Sequence, residues 1–187
     1  MADGFSTLTL HSNQATGPRR FTVSDLDAMF DANILSRDER LELVEGEILS
    51  VNSQLMPHAM IKSRIARKLS QILPENFEII TEGSLKLSDV TLVDTDLIIT
   101  KTLTIERRYI RGDEVLLAIE VADTTIGYDL GPKALLYARA EITEYWVVDI
   151  NGAQTWIHQT PCATGYEAIY KVPFSDTLKA LDFSLNI

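Results

Sequence analysis

The spacing of apolar residues divides the first part of the chain into helices and a hairpin. Apolar residues recur at helical spacing in two segments, Ser24–Ile34 and Pro57–Leu73. The segment Arg40–Val51 instead alternates apolar and charged residues. It therefore predicts a β-hairpin that turns at Glu45 and Gly46.

The second part of the chain predicts mainly strands. Val115–Val121 is apolar on both faces, as expected of a strand at the centre of a sheet. It is followed by a predicted helix, Asp129–Ala140, and by a buried strand, Glu144–Ile150, which together form a right-handed βαβ unit. The other predicted strands are Phe77–Thr81, Leu85–Leu87, Asp96–Thr100, and a terminal hairpin of Thr155–Gln159 and Gly165–Val172. This order of elements predicts an α/β fold in which a mixed central β-sheet is flanked by helices.

The length and composition fit one globular domain. The chain has 187 residues, of which 45% are hydrophobic and 24% are charged. We interpret residues 1–20 as a flexible leader and residues 21–187 as a single domain. No apolar run is long enough to cross a bilayer, and the leader lacks the basic head and apolar run of a secretory signal. These features favour a soluble, cytoplasmic protein with no membrane partner.

The net charge argues against tight, non-specific binding of nucleic acid. The chain carries 17 basic and 27 acidic residues, which gives a net charge of −10. Such a balance does not favour a broad basic surface. It leaves open an enzyme that acts on nucleic acid, because a metal ion can supply positive charge locally.

Two acids at the ends of predicted buried strands are candidate metal ligands. Asp96 begins one strand and Glu120 lies near the end of another. Two carboxylates about 4 Å apart repel by roughly 4 kcal/mol at an effective dielectric near 20, so a protein that pairs them usually needs a cation. Oxygen ligands of this kind suit Mg²⁺ or Mn²⁺. Acids at strand ends are, however, more often simply solvated, and Asp94 is an alternative to Asp96.

A lysine in the following helix could complete such a site. Lys133 lies one turn into the helix after the Glu120 strand, near the edge of the sheet where α/β proteins bind ligands. Its ammonium group could stabilise charge in the transition state of phosphoryl transfer. The common alternative is a solvated lysine on the helix surface. Asp129 is most simply interpreted as the N-cap of this helix.

The chain resembles the Uma family of endonucleases, within the PD-(D/E)XK restriction-endonuclease-like superfamily. The resemblance extends from Phe21 to about Phe183. Its motifs are LELVEGEI, PHAMIKSRIARKL, TDLIIT and IEVADTTIGYDLGPKALLYARAEITEYWVVD. The last of these is the most specific. The resemblance implies a restriction-endonuclease-like fold, a DNA substrate, a Mg²⁺ or Mn²⁺ cofactor and, as in many small nucleases of this fold, a homodimer.

The resemblance also assigns roles to individual residues. Asp96 matches the first metal-binding acid and Glu120 the second. The superfamily pattern has a lysine two positions after the glutamate, where this chain has Ala122. Lys133 matches a lysine that the family has moved to the following helix. Thr95 replaces the proline that usually precedes the first acid, which changes only a backbone preference.

Four further residues are secondary candidates for the site. Glu42 and Glu47 lie in the predicted hairpin, where a glutamate could join the metal site or could be a surface charge. His58 begins the second helix and could contact a phosphate or a metal-bound water, or could simply be a polar residue at the helix terminus. Tyr137 lies one turn after Lys133 and could line the site, although packing is the simpler explanation.

Two functions are consistent with these observations. The first is a metal-dependent endonuclease in which Asp96, Glu120 and Lys133 act together, with a basic face of the second helix contacting the DNA backbone. That face would contain Lys62, Arg64, Arg67 and Lys68. The alternative is a catalytically inactive protein of nuclease fold that acts as an interaction or nucleic-acid-binding module. The alternative predicts that the three residues do not converge.

Overall fold

A mixed sheet of nine strands forms the centre of the fold. The structure is a computed structural model, and it describes residues 17–181 and 183–185. The strands of this sheet are β1 (Leu41–Val44), β2 (Glu47–Ser50), β3 (Phe77–Ser88), β4 (Thr91–Lys101), β5 (Ile110–Arg111), β6 (Val115–Ala122), β7 (Glu144–Asp149), β8 (Gln154–Cys162) and β9 (Gly165–Pro173). A second, two-stranded sheet consists of β10 (Leu178–Ala180) and β11 (Phe183–Leu185).

The described residues form four α-helices, of which the first precedes β1 and the others connect strands. The α-helices are α1 (Val23–Asp31), α2 (Met56–Ile72), α3 (Ile126–Tyr128) and α4 (Ala134–Arg139). A π-helix, Asp129–Lys133, joins α3 to α4, and a 3₁₀ turn, Gly112–Glu114, precedes β6. None of the helices in the described part of the chain is both long enough and apolar enough to cross a membrane.

The order of the central sheet is β2-β1-β4-β6-β7-β8-β9, with β3 paired to β4 and β5 paired to β3. Strands β6 and β7 pair in parallel, and the chain between them passes through α3, the π-helix and α4. The predicted βαβ unit is therefore present, with parallel strands. The predicted α/β fold with a mixed central sheet is also confirmed.

Helix α2 covers one face of the sheet, and the segment of α3, the π-helix and α4 covers the other. The side chains of β6 contact both. Its residues Leu117 and Ile119 pack in a cluster with Ile65 of α2. Its residues Ala118 and Ala122 pack in a second cluster with Tyr137 of α4. Because side chains alternate along a strand, Glu120 lies on the same face as Ala118 and Ala122. This alternation directs Glu120 towards the π-helix and α4.

Some predicted boundaries differ from the observed ones. Phe77–Thr81 and Leu85–Leu87 were predicted as separate strands, but they belong to the single strand β3, which pairs along most of its length with β4. The first helix begins at Val23 because Thr22 caps it. The Thr22 hydroxyl accepts a hydrogen bond from the Asp25 backbone N–H at 3.1 Å.

The predicted leader, residues 1–20, is described only in part. Its residues 1–16 lie outside the described residues, and 17–20 are exposed and have no regular secondary structure. Arg20 already contacts the domain through an ion pair with Glu47 at 3.6 Å, and the Phe21 backbone N–H donates to the Gly46 carbonyl at 2.9 Å. Glu45 and Gly46 both have positive φ, 49° and 84°, as the predicted two-residue hairpin turn requires.

Candidate active site

The three principal candidates from the sequence line one cavity. Asp96 lies in β4, Glu120 in β6 and Lys133 at the end of the π-helix, and all three side chains are buried. The cavity has a volume of about 510 Å³. We call it the site cavity. The convergence of the three residues is the geometry that the endonuclease hypothesis requires and that the inactive-module hypothesis does not predict.

The side-chain alternation of β4 is interrupted at Asp96. Thr95 faces α4, where its hydroxyl lies 2.7 Å from the Tyr137 hydroxyl, whereas Leu97 packs on the opposite face with the α2 cluster. Thr95 and Leu97 pair with Gly83 and Thr81 of β3. Glu82 lies between these two partners and has a φ of 55°. A non-glycine residue in this left-handed region is strained, and such strain is common at functional sites. The interruption leaves Asp96 at the cavity, within reach of α2.

Hydrogen bonds hold Asp96 in its ionised form. Its Oδ2 accepts from the Val121 backbone N–H at 2.9 Å and lies 3.0 Å from His58 Nε2, while Gln54 Nε2 donates to Oδ1 at 2.8 Å. Burial acts to raise the pKa of Asp96, but the hydrogen bonds from His58 and Val121 outweigh it and leave the pKa below its usual value. Asp96 is therefore a carboxylate at neutral pH.

Glu120 is a buried and strongly desolvated acid of the site. Its Oε1 accepts a hydrogen bond from the Tyr137 hydroxyl at 2.7 Å and lies 2.9 Å from Lys133 Nζ. Burial raises the pKa of Glu120 well above its usual value, and the charges of Asp96 and Asp129 add to this shift against the opposing effect of Lys133. Among the described residues, none hydrogen-bonds Glu120 Oε2, so this oxygen is available to a ligand in the cavity.

Lys133 is held by several oxygens on one side of the cavity. Its Nζ lies 2.9 Å from Glu120 Oε1 and 3.3 Å from Glu42 Oε1, and it donates to the Asp94 carbonyl at 2.9 Å. Burial acts to lower the pKa of Lys133, but the Glu120 and Glu42 carboxylates raise it overall. A lysine that completes the site of Asp96 and Glu120 is expected to lie near both acids. Within the described residues Lys133 pairs with Glu120 and Glu42 and forms no ion pair with Asp96.

The secondary candidates divide into residues inside and outside the site. Glu42 Oε1 accepts from the Asp94 backbone N–H at 3.1 Å and so links Lys133 to β4. Tyr137 is fully buried against Glu120. Glu47, in contrast, is exposed and pairs with Arg20 at 3.6 Å. Glu47 pairs with Val44 at the turn end of the hairpin and does not line the cavity, so its position matches the alternative interpretation of a surface charge.

Lys62 is a component of the site that the sequence did not reveal. It was predicted on an exposed basic face of α2, but its side chain is buried. Its Nζ donates to Gln54 Oε1 at 2.5 Å and to Glu82 Oε1 at 2.6 Å, and lies 3.7 Å from Asp96 Oδ1. Arg64 and Arg67 remain exposed. Lys62 therefore does not belong to the predicted DNA-contacting face of α2. It lies near Asp96 instead.

Asp129 also lies inside the site, although its predicted role was that of a helix N-cap. The helical segment begins three residues earlier, at Ile126, so Asp129 is internal and starts the π-helix. It is buried, and Thr125 donates to its Oδ2 at 2.5 Å. Pro132 lies within the π-helix, and because proline has no N–H it interrupts the regular ladder of α-helical bonds. Asp129 and Lys133, at the two ends of this segment, both line the cavity.

The carboxylates of the site suit a Mg²⁺ or Mn²⁺ ion that keeps several of its waters. They suit less well a metal that is ligated entirely by protein side chains. Among the described residues, no group of three or more His, Cys, Asp or Glu side chains is arranged to hold a metal. Mg²⁺ usually takes one or two carboxylates and keeps several waters. Asp96 and Glu120 supply two carboxylates at one cavity, and Glu120 Oε2 has no hydrogen-bond partner in the described part of the chain. The residues present therefore fit such an ion.

Comparisons with known proteins agree with this architecture. A family model described as "Uma2: Putative restriction endonuclease" matches residues 25–187. Among solved structures, the chain is similar to the "putative nuclease belonging to DUF820" from Anabaena variabilis ATCC 29413, with a TM-score of 0.64 and 12% sequence identity. The alignment covers 83% of this chain and 92% of that one. At this identity the likeness shows a shared fold. No curated protein matches the chain.

Proposed function

Because the chain belongs to the Uma2 family of nucleases, we propose that it is a metal-dependent endonuclease that hydrolyses phosphodiester bonds in DNA. One observation carries the proposal: Asp96, Glu120 and Lys133 come from three separate elements and line the same cavity. Two carboxylates and an ammonium group at one concave site are the components that metal-assisted phosphoryl transfer needs.

In this proposal Asp96 and Glu120 would hold a Mg²⁺ or Mn²⁺ ion, which would supply Lewis-acid chemistry to a phosphate oxygen and to water. Asp96 is already ionised, because His58 and the Val121 N–H stabilise its charge. Burial raises the pKa of Glu120, and the positive charge of a bound ion would offset that desolvation.

Lys133 acts in this proposal as a fixed positive charge. The carboxylates of Glu42 and Glu120 keep its ammonium group protonated, so it does not serve as a base. Negative charge grows on the phosphoryl oxygens as the attacking oxygen approaches, and a preorganised cation stabilises that charge without reorganising. Glu42, the Asp94 carbonyl and Glu120 orient the amine. His58 and Gln54 orient Asp96.

A plasmid-cleavage assay tests the proposal. With Mg²⁺ or Mn²⁺ the wild-type protein should convert supercoiled plasmid to nicked or linear forms, and Glu120→Ala should not. Glu47→Ala is the matched control, because it removes an exposed glutamate that lies outside the cavity. Circular dichroism should show that both variants are folded. A wild-type protein that cuts neither plasmid, linear duplex nor single strands with either metal would instead favour the inactive-module alternative.

The proposal extends to a homodimer acting on DNA in the cytoplasm. A pair of subunits would place two of these sites on the two strands of a duplex. Light scattering at several protein concentrations checks the dimer. A monomer at all concentrations would leave single-strand nicking as the expected activity in the plasmid assay.

A further inference from the structure

A second hollow adjoins the site cavity. It lies beside α2 and β3, where Lys62 and Thr81 contribute to its wall, and its volume is about 670 Å³. Arg40, Ser53, Gln54 and Glu82 line both spaces. The two hollows therefore adjoin, and these four residues stand at their junction. We call the second space the side hollow.

Arg40 is distinguished from the lysines of the two hollows because no described residue pairs with its guanidinium group. Lys133 is engaged by Glu120 and Glu42, and Lys62 is engaged by Glu82 and Gln54. The guanidinium of Arg40, in contrast, forms no hydrogen bond or ion pair with any described residue. Its charge is close enough to Glu82 to help lower the pKa of that carboxyl group.

The backbone determines where Arg40 points. Its carbonyl accepts from the Val51 N–H at 2.8 Å, which extends the β1–β2 hairpin by one pair. Side chains two residues apart on a strand share a face, so Arg40 lies on the same side as Glu42. Glu42 reaches Lys133 in the site cavity. Arg40 is thus a half-buried, positioned cation at the edge of that cavity.

The cavity needs such a cation if its ligand is a polyanion. Among the described residues, seven carboxylate side chains line it, against one arginine, one lysine and one histidine. A metal ion at Asp96 and Glu120 offsets this charge only locally. A strand that extended from the reaction centre towards the side hollow would pass Glu82, which lines both spaces and would repel a phosphate. Arginine presents a planar fork of donors that binds a phosphate with two hydrogen bonds.

We propose that Arg40 forms a second phosphate subsite, which binds the phosphate adjacent to the cleaved one in a nucleic-acid strand passing from the site cavity into the side hollow. This inference rests on the proposed nuclease function. It assigns Arg40 a role in binding the extended substrate, separate from the reaction at the metal. It also gives the acidic chain a local contact for a polyanion that its overall charge does not provide.

Two substrates separate this role from a structural one. A single-stranded oligonucleotide has a neighbouring phosphate, whereas bis-(p-nitrophenyl) phosphate is a phosphodiester without one. In Arg40→Gln, the ratio of kcat/KM on the oligonucleotide to kcat/KM on the small diester should fall roughly 10- to 100-fold, the effect of one charge-assisted hydrogen bond. Most of the fall should be in KM. The control is Arg107→Gln, which removes an exposed arginine outside both hollows.

An unchanged ratio in Arg40→Gln, or an equal fall in Arg107→Gln, would overturn the subsite while leaving the nuclease function intact. If the wild-type protein cleaves neither substrate, the proposed function fails instead. Fluorescence anisotropy of the same oligonucleotide in Ca²⁺ then decides the subsite alone. Arg40→Gln should weaken binding and reduce the slope of log K against log[salt] by about 0.7, as expected for one lost contact to a single strand. Equal slopes in the two proteins would refute it.

Discussion

The hydrogen bond between Tyr137 and Glu120 should contribute measurably to stability. The substitution Tyr137→Phe keeps the ring in its buried position and removes only the hydroxyl group. Two contacts are then lost. Glu120 Oε1 loses a donor at 2.7 Å, and the Thr95 hydroxyl loses its partner at 2.7 Å in a position that is 1% exposed.

The size of the effect follows from these two losses. A hydrogen bond to a charged group is worth about 1.5–3 kcal/mol, and a buried hydroxyl left without a partner costs about 1–3 kcal/mol. We expect the free energy of unfolding to fall by about 3 kcal/mol, which in a chain of this length lowers Tm by roughly 6–12 °C. The matched control is Tyr166→Phe, which removes a buried hydroxyl bonded at 2.8 Å to the neutral Ile142 carbonyl. It should cost only about 1 kcal/mol.

The free energy of unfolding of both variants can be measured by urea denaturation in metal-free buffer, with circular dichroism as the signal. The double variant Tyr137→Phe with Thr95→Val removes both hydroxyl groups, so its cost should be less than the sum of the single costs by about 0.5–3 kcal/mol. A loss below about 0.5 kcal/mol in Tyr137→Phe, or strictly additive costs, would refute the hydrogen-bonded chain from Thr95 to Glu120.

Other predictions concern the charges of the site. Burial raises the folded-state pKa of Glu120, so its contribution to stability is present below its unfolded pKa of about 4.3 and is lost as pH rises through the folded value. Glu120→Gln should therefore gain stability relative to the metal-free wild type as the pH rises above about 4.3. A difference in urea midpoint that stays constant with pH would contradict this. His58→Ala removes a bond that lowers the pKa of Asp96, so the acidic limb of the cleavage–pH profile should move to higher pH, and an unmoved limb would count against that bond. Lys133→Met leaves Glu120 without its buried cation and should cost about 3–5 kcal/mol in urea denaturation, whereas unchanged stability would contradict the pairing.

The architecture could be predicted from sequence where local pattern and tertiary packing agree. Val115–Val121 is apolar on both faces because helices cover both sides of β6. The Glu45-Gly46 hairpin follows from residues that tolerate positive φ. The long strand β3 was divided in the prediction because Gly83 and its polar neighbours resemble a turn, yet pairing with β4 along most of the strand overrides this local preference.

The predicted site was incomplete because several of its members depend on non-local geometry. Periodicity places Lys62 beside the apolar stripe of α2, but whether its long side chain bends inwards is decided by Glu82 and Gln54, which are distant in sequence. Asp129 was predicted as a cap because no sequence rule identifies a π-helix. Pro132 within the helical segment was the available signal for that irregularity.

The central claim is that Asp96 and Glu120 share one metal ion. The most direct measurement is anomalous X-ray diffraction from crystals of the wild-type protein grown with Mn²⁺, compared with crystals of Glu120→Gln. If the two acids share one ion, an anomalous peak should lie within about 2.0–2.3 Å of a carboxylate oxygen of each residue, accompanied by waters, and it should be lost in the variant. A wild-type crystal that contains Mn²⁺ elsewhere but has no peak at Asp96 and Glu120 would contradict it.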